Sequence, residues 1–143
     1  MKVSQLLSTK GRQVTTIDES RPVLEAVNEL RDRGIGALVV SGERAPLVGI
    51  LSERDIVRAL ASSGAQALDL PVRSIMSSQV VTCNESETLD RLMKLMTDRR
   101  IRHVPVVEDG VLTGMISIGD VVKHRVEQLE NDKRDLLEYV SAR

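Results

Sequence analysis

The heptapeptide GILSERD at residues 49–55 has a second copy, GMISIGD, at residues 114–120, and this duplication predicts the architecture of the chain. Outward from these heptapeptides the similarity extends over two aligned pairs of segments, residues 47–57 with 112–122 at an offset of 65 and residues 18–40 with 84–106 at an offset of 66. A unit of this size is too small to bury a core of its own. The two copies are therefore expected to form one pseudo-symmetric domain with equivalent clefts.

Each copy predicts the order strand, helix, strand, strand, helix. Apolar residues at the helical spacing i, i+3, i+4, i+7 follow Ser20 and again follow Ser86, so that these two serines are the predicted N-caps. The predicted strands are residues 14–17, 37–40 and 47–51, then 80–83, 103–107 and 112–116. The remaining predictions are a helix over residues 53–62, a tight turn at residues 108–110 and a helix from residue 120 to about residue 139.

The composition excludes several classes of protein. The 143 residues carry a net charge of −1 and include one Tyr, no Phe and no Trp, which argues against a surface for single-stranded nucleic acid. Cys83 is the only cysteine, so an internal disulfide and a cysteine-based zinc site are excluded, and a small buried residue is the expected role. Neither a signal peptide nor an apolar run of the ~20 residues of a membrane span is seen. A cytoplasmic, soluble protein is expected.

The last predicted helix departs from the repeat. Apolar residues spaced 4 and 3 apart form a heptad seam with one polar interruption: Val122, Val126, Leu129, Lys133, Leu136 and Val140. Two interpretations remain open, a helix packed on its own domain and a contact between two copies of the chain.

Each heptapeptide contains Ser-x-x-Asp at a strand-to-helix junction, Ser52 with Asp55 and Ser117 with Asp120. One interpretation is a capping box, in which the carboxylate reaches back to the cap amide. The other is a ligand site, because a helix start presents free N–H groups to a phosphate. An ionised carboxylate also accepts two hydrogen bonds, which suits the hydroxyls of a ribose.

With residues 101–107, IRHVPVV, these duplicated motifs resemble a tandem pair of CBS domains, the units named after cystathionine β-synthase, over about residues 1–127. The resemblance implies an α+β fold of two pseudo-symmetric β-α-β-β-α repeats forming one module. The expected boundaries are residues 1–65 for the first repeat with an N-terminal leader, residues 66–127 for the second, and residues 128–143 for a C-terminal helical extension.

More narrowly, the chain is similar to small stand-alone bacterial CBS-pair proteins. This implies a non-catalytic regulatory module that binds an adenine nucleotide in clefts between the two CBS repeats and senses energy or redox state. AMP is the first candidate, with ATP and NAD(H) as further ones, and a homodimer that signals to an unidentified protein target is implied.

The resemblance also implies site residues. Asp55 and Asp120 would hold ribose, and Ser52 and Ser117 would hold phosphate. The adenine would lie between apolar residues and backbone from the short strands of the two halves. The matching positions are Thr15 and Ile35 for one cleft and Val81 and Ile101 for the other, with Lys10 and Gly11 closing over the first.

The two clefts are not equal. The second repeat carries Arg102 and His103, which can donate to phosphate, so the cleft of Ser117 and Asp120 is expected to bind the phosphate-rich part of the ligand. A strand histidine with satisfied hydrogen bonds is the alternative for His103.

The first repeat has Gly36 and Ala37 at the positions of that arginine and histidine, which leaves room for bulk. In the cleft of the first repeat, Arg54 and Arg58 would supply charge, or they form a solvated helix face.

Features of an enzyme are missing from the sequence: a nucleophile paired with a base, a cluster of metal ligands and a phosphate-binding loop of the Walker type. No metal is expected. A scaffold protein whose clefts are vestigial, and which acts through its C-terminal helix, remains the alternative to the nucleotide sensor.

Overall fold

Short apolar stretches between turns form the strands, and the i, i+3, i+4, i+7 stretches form the helices. The computed structural model describes residues 1–142. The elements follow one another as α1 (Val3–Lys10), β1 (Thr16–Asp18), α2 (Val23–Arg33), β2 (Ala37–Ser41), β3 (Gly49–Ser52), α3 (Glu53–Ser63), α4 (Leu89–Arg99), β4 (His103–Glu108), β5 (Val111–Ser117) and α5 (Ile118–Ser141). Two short 3-10 helices, Gly64–Asp69 and Val72–Ser74, join the halves. The expected α+β fold with a C-terminal helix is confirmed.

The first half is built on a three-stranded sheet in the order β1-β2-β3. The β1 and β2 strands run parallel across the α2 connection, and β2 pairs with β3 in antiparallel register, Leu38 opposite Leu51. Helix α2 covers this sheet with its predicted apolar face, of which Val23, Ala26 and Leu30 are buried.

The second half is built on the antiparallel hairpin of β4 and β5. Its turn places Asp109 at φ 51° and Gly110 at φ 78°, the pair of positive angles that a two-residue hairpin turn needs, so the predicted turn is confirmed. The strand predicted at residues 80–83 is wrong in extent: only Cys83 pairs, in a parallel bridge with Val106. Both backbone hydrogen bonds of this bridge belong to Cys83, whose N–H donates to the Pro105 carbonyl at 3.1 Å and whose carbonyl accepts from the Val107 N–H at 2.8 Å.

The N-terminal leader forms a helix that the sequence analysis missed. Helix α1 buries Val3, Leu6 and Leu7, and these side chains belong to the hydrophobic core of the second half together with Leu92 and Ile116. A leader grouped by sequence position with the first repeat therefore completes the core of the second.

The two predicted N-caps are wrong. Ser20 donates from its N–H and its hydroxyl to the Asp18 carboxylate at 2.8 and 2.5 Å, and Ser86 makes the same turn on the Asn84 side chain at 3.1 and 2.7 Å. Both helices begin three residues after these serines, because the serine side chains are already bonded within the turns. The structural cap of α4 is Thr88, whose hydroxyl accepts from the Arg91 N–H.

Helix α5 extends past the second half. Of its residues only Val121 is buried, and the five apolar members of the heptad seam are between 47% and 63% exposed. The interpretation that this seam packs on its own domain is therefore wrong. None of the helices among residues 1–142 has the length and apolar character that crossing a membrane requires.

Candidate functional site

Both Ser-x-x-Asp motifs form capping boxes. The Ser52 hydroxyl accepts from the Asp55 N–H at 3.3 Å, and the Asp55 carboxylate accepts from the Ser52 N–H at 2.9 Å and from its hydroxyl at 3.1 Å. The Ser117 hydroxyl accepts from the Asp120 N–H at 3.2 Å, and the Asp120 carboxylate accepts from the Ser117 N–H at 2.8 Å. Each serine and aspartate is therefore fixed at the start of its helix.

A backbone bond ties each helix start to the strand that follows the other helix of its repeat. The Glu53 N–H donates to the Gly36 carbonyl at 3.0 Å, and the Ile118 N–H donates to the Arg102 carbonyl at 2.7 Å. Gly36 and Arg102 are equivalent in the repeat, so the duplication is preserved down to single hydrogen bonds.

A cavity of about 450 Å³ lies beside the first of these boxes. Its walls come from both halves of the chain: Gly36, Ile50, Ser52, Glu53, Arg54, Asp55 and Arg58 from the first, and Ser77, Arg99, Arg100, Ile101, Arg102 and His103 from the linker and the second. A cavity with apolar, hydroxyl, carboxylate and guanidinium groups on its walls can accept a ligand that has an apolar and an anionic part.

The walls carry a net positive charge. Five arginines face two carboxylates, those of Glu53 and Asp55. Within residues 1–142, no salt bridge of 4.0 Å or less involves any of these five guanidinium groups. The arginines are thus available to an anion.

His103 packs at the contact between the halves. A Cβ atom on Gly36 would lie 3.0 Å from Glu53 Oε1 and 3.2 Å from His103 Cε1, so that only glycine leaves these side chains in place. Burial lowers the pKa of His103 below its ordinary value, helped by Lys10 and Arg102 and opposed by Glu53 and Asp120. The imidazole is therefore neutral at neutral pH.

The second box is engaged by the chain itself. Lys10 donates from Nζ to Asp120 Oδ2 at 2.5 Å and to the Met115 carbonyl. Burial opposes the ionisation of Asp120, but the hydrogen bonds from Lys10 and Ser117 outweigh it and hold the pKa of the carboxyl below its ordinary value. Asp55 has no such cation among the residues that the structure describes.

The structure brings together about half of the predicted site residues. The cavity is lined by seven of them: Gly36, Ser52, Arg54, Asp55, Ile101, Arg102 and His103. The other eight lie outside its walls: Lys10, Gly11, Thr15, Ile35, Ala37, Val81, Ser117 and Asp120. Of these, Ala37 is buried in β2 and Ile35 packs on the core of the first half.

Two expected pairings differ from the structure. Arg102 and His103 were assigned to the cleft of Ser117 and Asp120, and the structure places them on the walls beside Ser52 and Asp55. The reason is that β4 starts at the border of the halves, so the residues at its start face the opposite repeat. Lys10 was expected over the cleft of Thr15 and Ile35, and its amino group contacts Asp120.

Sequence reasoning missed Arg99 and Arg100, which line the cavity. The signal was present, since both directly precede Ile101 in a run that Arg102 continues. Burial raises the pKa of the Cys83 thiol to about 11, which agrees with a small packed residue and not with a reactive thiol. No group of three or more His, Cys, Asp or Glu side chains within residues 1–142 is arranged to hold a metal ion.

A family model described as CBS domain matches residues 3–62 and 72–127. The chain is 34% identical over 148 residues to the mitochondrial CBS domain-containing protein CBSX3 of Arabidopsis thaliana, covering 96% of this chain and 71% of that protein. A CBS-domain containing protein of Agrobacterium tumefaciens, ATU1752, superposes with a TM-score of 0.84 at 46% identity, over 87% of this chain and 92% of that one. The CBS domain protein PAE2072 of Pyrobaculum aerophilum, solved in complex with AMP, gives 0.78 at 32% identity, over 91% and 97% of the two chains.

Proposed function

The chain belongs to the CBS-domain family as a tandem pair, and from this premise we propose that it is a non-catalytic regulatory module that binds an adenine nucleotide between its repeats. The observation that supports the proposal is the cavity at Ser52 and Asp55, whose opposite wall is supplied by residues 101–103 of the other repeat. A similar protein, PAE2072, was solved with AMP. AMP, ATP and NAD(H) are the candidate ligands.

The groups on the walls match the parts of a nucleotide. The Asp55 carboxylate can accept from ribose hydroxyls, and the Ser52 hydroxyl with the Arg54 N–H in the first turn of α3 can donate to a phosphate. Ile50 and Ile101, one from each half, are apolar members of the wall that can enclose the adenine. In this assignment the ligand touches both repeats, so that its binding couples their relative positions.

We assign one nucleotide to each chain, at the cavity beside Asp55. The equivalent carboxylate, Asp120, is held by the Lys10 ammonium group at 2.5 Å. A ribose at Asp120 would have to displace this lysine before it could bind.

Titration calorimetry with AMP, ADP, ATP, NAD, NADH and S-adenosylmethionine tests the proposal. Asp55→Ala is expected to weaken the binding of the preferred nucleotide by about tenfold to a hundredfold, because a hydrogen bond to a charged group contributes roughly 1.5–3 kcal/mol. Asp120→Ala is the matched control, the same change in the equivalent box, and should leave the affinity nearly unchanged.

The folding of both variants is checked by circular dichroism. Heat of binding from none of the six compounds would contradict the nucleotide site and favour the scaffold alternative. Equal losses in the two variants would contradict the assignment to the cavity beside Asp55.

We further propose that the chain is a homodimer in which the exposed seam of α5 is covered by the same seam of a second copy. The seam follows a heptad spacing, which matches a partner helix of the same kind. In a parallel pair, Arg125 of one chain stands at the heptad position that faces Glu130 of the other, so the charges beside the seam are complementary.

A further inference from the structure

Five arginines on the walls of one cavity exceed the charge of a nucleoside monophosphate. Arg54 and Arg58 lie one turn apart on α3, and Arg99, Arg100 and Arg102 stand around the end of α4 on the opposite wall. With the carboxylates of Glu53 and Asp55 and a neutral His103, the formal charge of the walls is 5 − 2 = +3. A monophosphate brings at most two negative charges near neutral pH, so that it leaves the walls positive.

One of these arginines, Arg100, has a backbone conformation that is unfavourable for a residue with a side chain. It ends α4 in the left-handed conformation, with φ 54° and ψ 45°. The equivalent residue of the first repeat, at the offset of 66, is Gly34, which ends α2 at φ 61°. Glycine adopts this conformation without the steric penalty of a Cβ atom, yet the second repeat has an arginine there, and that arginine lines the cavity.

A purely structural explanation accounts for part of the arginine cluster. A cation in the last turn of a helix is stabilised by the negative end of the helix dipole, which suffices for Arg99. It does not explain an arginine at the residue that ends the helix with a positive φ. Nor does it explain Arg54, which lies in the first turn of α3, where the dipole disfavours a cation.

We propose that the cavity selects a polyphosphate, with three or more negative charges in a linear chain, as in a nucleoside triphosphate. The chain of phosphates runs between the arginines of α3 and those at the end of α4, and Arg100 contacts the part beyond the first phosphate. This inference rests on the nucleotide site proposed above, and it narrows the class of ligand from any adenine nucleotide to a triphosphate.

The affinities of AMP, ADP and ATP are compared by calorimetry without divalent cations, which would neutralise the phosphates. ATP is expected to bind at least tenfold more tightly than AMP, as about one added charge-assisted hydrogen bond per phosphate would give. Inorganic tripolyphosphate is expected to displace ATP at concentrations at which orthophosphate does not.

Variants of Arg100 separate its charge from its backbone. Arg100→Gly should weaken ATP by about tenfold and AMP by less than about threefold, while the melting temperature rises because the positive φ is no longer strained. Arg100→Ala should weaken ATP equally without that rise. Arg91→Ala, which removes an exposed arginine from the same helix outside the cavity, should change neither affinity.

The outcomes distinguish this inference from the proposed function. AMP binding as tightly as ATP, or equal losses of AMP and ATP in Arg100→Gly, would overturn the polyphosphate inference and leave the nucleotide site standing. Binding of tripolyphosphate with no binding of any nucleotide would overturn the proposed function and keep the anion site. Binding of neither would overturn both.

Discussion

At the scale of one residue, His103 connects the cavity with the second capping box. It lines the cavity, and its strand position pairs it with Ser117 of the second capping box. Charged groups of three helices and of the loop before β4 act on it: Lys10, Glu53 and Asp120 from the helices, and Arg102 from the loop. Because burial has the largest effect, its pKa in the folded chain is lower than in the unfolded chain.

This difference predicts how stability depends on pH. When pH falls below the ordinary histidine value of 6.5, the unfolded chain takes up a proton before the folded chain does, so the free energy of unfolding decreases until the lower folded-state pKa is passed. His103→Gln should lose this part of the decrease. The measurement is urea unfolding at several pH values from 7.5 to about 5.

His124→Gln, the same change at the other histidine, reports the effect of the substitution alone. The prediction would be contradicted if the urea midpoints of the wild type and of His103→Gln decreased equally as the pH is lowered.

The sequence was enough to identify some site residues and not others, for a physical reason. Ser52 and Asp55 could be found because a capping box imposes a spacing, and that spacing appears twice. Arg100 was harder to assign: its position beside Ile101 and Arg102 is visible in the sequence, but the wall that its side chain faces depends on how the two halves pack. The contact of Lys10 with Asp120 joins residues 110 positions apart, which no local pattern encodes.

At the scale of elements, apolar periodicity predicted the helices that lie on a sheet and failed for the one that lies on a different repeat. Helix α1 has Val3, Leu6 and Leu7 at i, i+3 and i+4, but Lys10 stands at i+7, so its apolar pattern ends after little more than one turn. Its importance appears in the packing, where Leu7 is fully buried against Gly114. A Cβ atom on that glycine would come within 2.6 Å of the Leu7 side chain.

Removing the Leu7 side chain should therefore destabilise the whole chain. Leu7→Ala is expected to lower the free energy of unfolding by about 2–5 kcal/mol, as for other fully buried leucines. Leu24→Ala, at an exposed leucine of α2, serves as the control and should change it by no more than about 0.5–1 kcal/mol. A loss at Leu7 as small as that of the control would show that α1 is not part of the core. Chemical denaturation with circular dichroism measures both.

At the scale of the whole molecule, the duplication predicted two repeats and equivalent clefts but not how the clefts are shared. The prediction placed the clefts between the two repeats but paired Arg102 and His103 with Ser117 and Asp120, whereas the cavity takes Ser52 and Asp55 from one repeat and Arg102 and His103 from the other. Symmetry of the sequence allows both arrangements, since it is the packing of the two sheets that decides which strand ends face each other. The association of two chains depends in turn on the surface that this packing leaves exposed.

The exposed seam of α5 predicts the assembly. The wild type should sediment at about twice the 15.8 kDa of one chain at micromolar concentration, because a seam of valine and leucine is stabilised by burial against another. Leu129→Asp combined with Leu136→Asp should shift it toward the monomer and leave nucleotide binding intact, since both residues lie outside the cavity. Gln128→Asp, one position from the seam, is the control. A wild type that sediments only as a single chain would contradict the dimer.

The place of α1 in the second core has a consequence for synthesis on the ribosome. Lys10 emerges 105 residues before its partner Met115, and until β5 follows, Leu7 lacks the part of its core that Gly114 and Ile116 supply. The apolar residues of α1 therefore stay partly exposed in the nascent chain until the hairpin of β4 and β5 has been synthesised. Exposed apolar surface of this kind is bound by chaperones. We expect ribosome-bound chains stopped before residue 111 to be digested by protease at residues 3–10, and chains released after completion to resist.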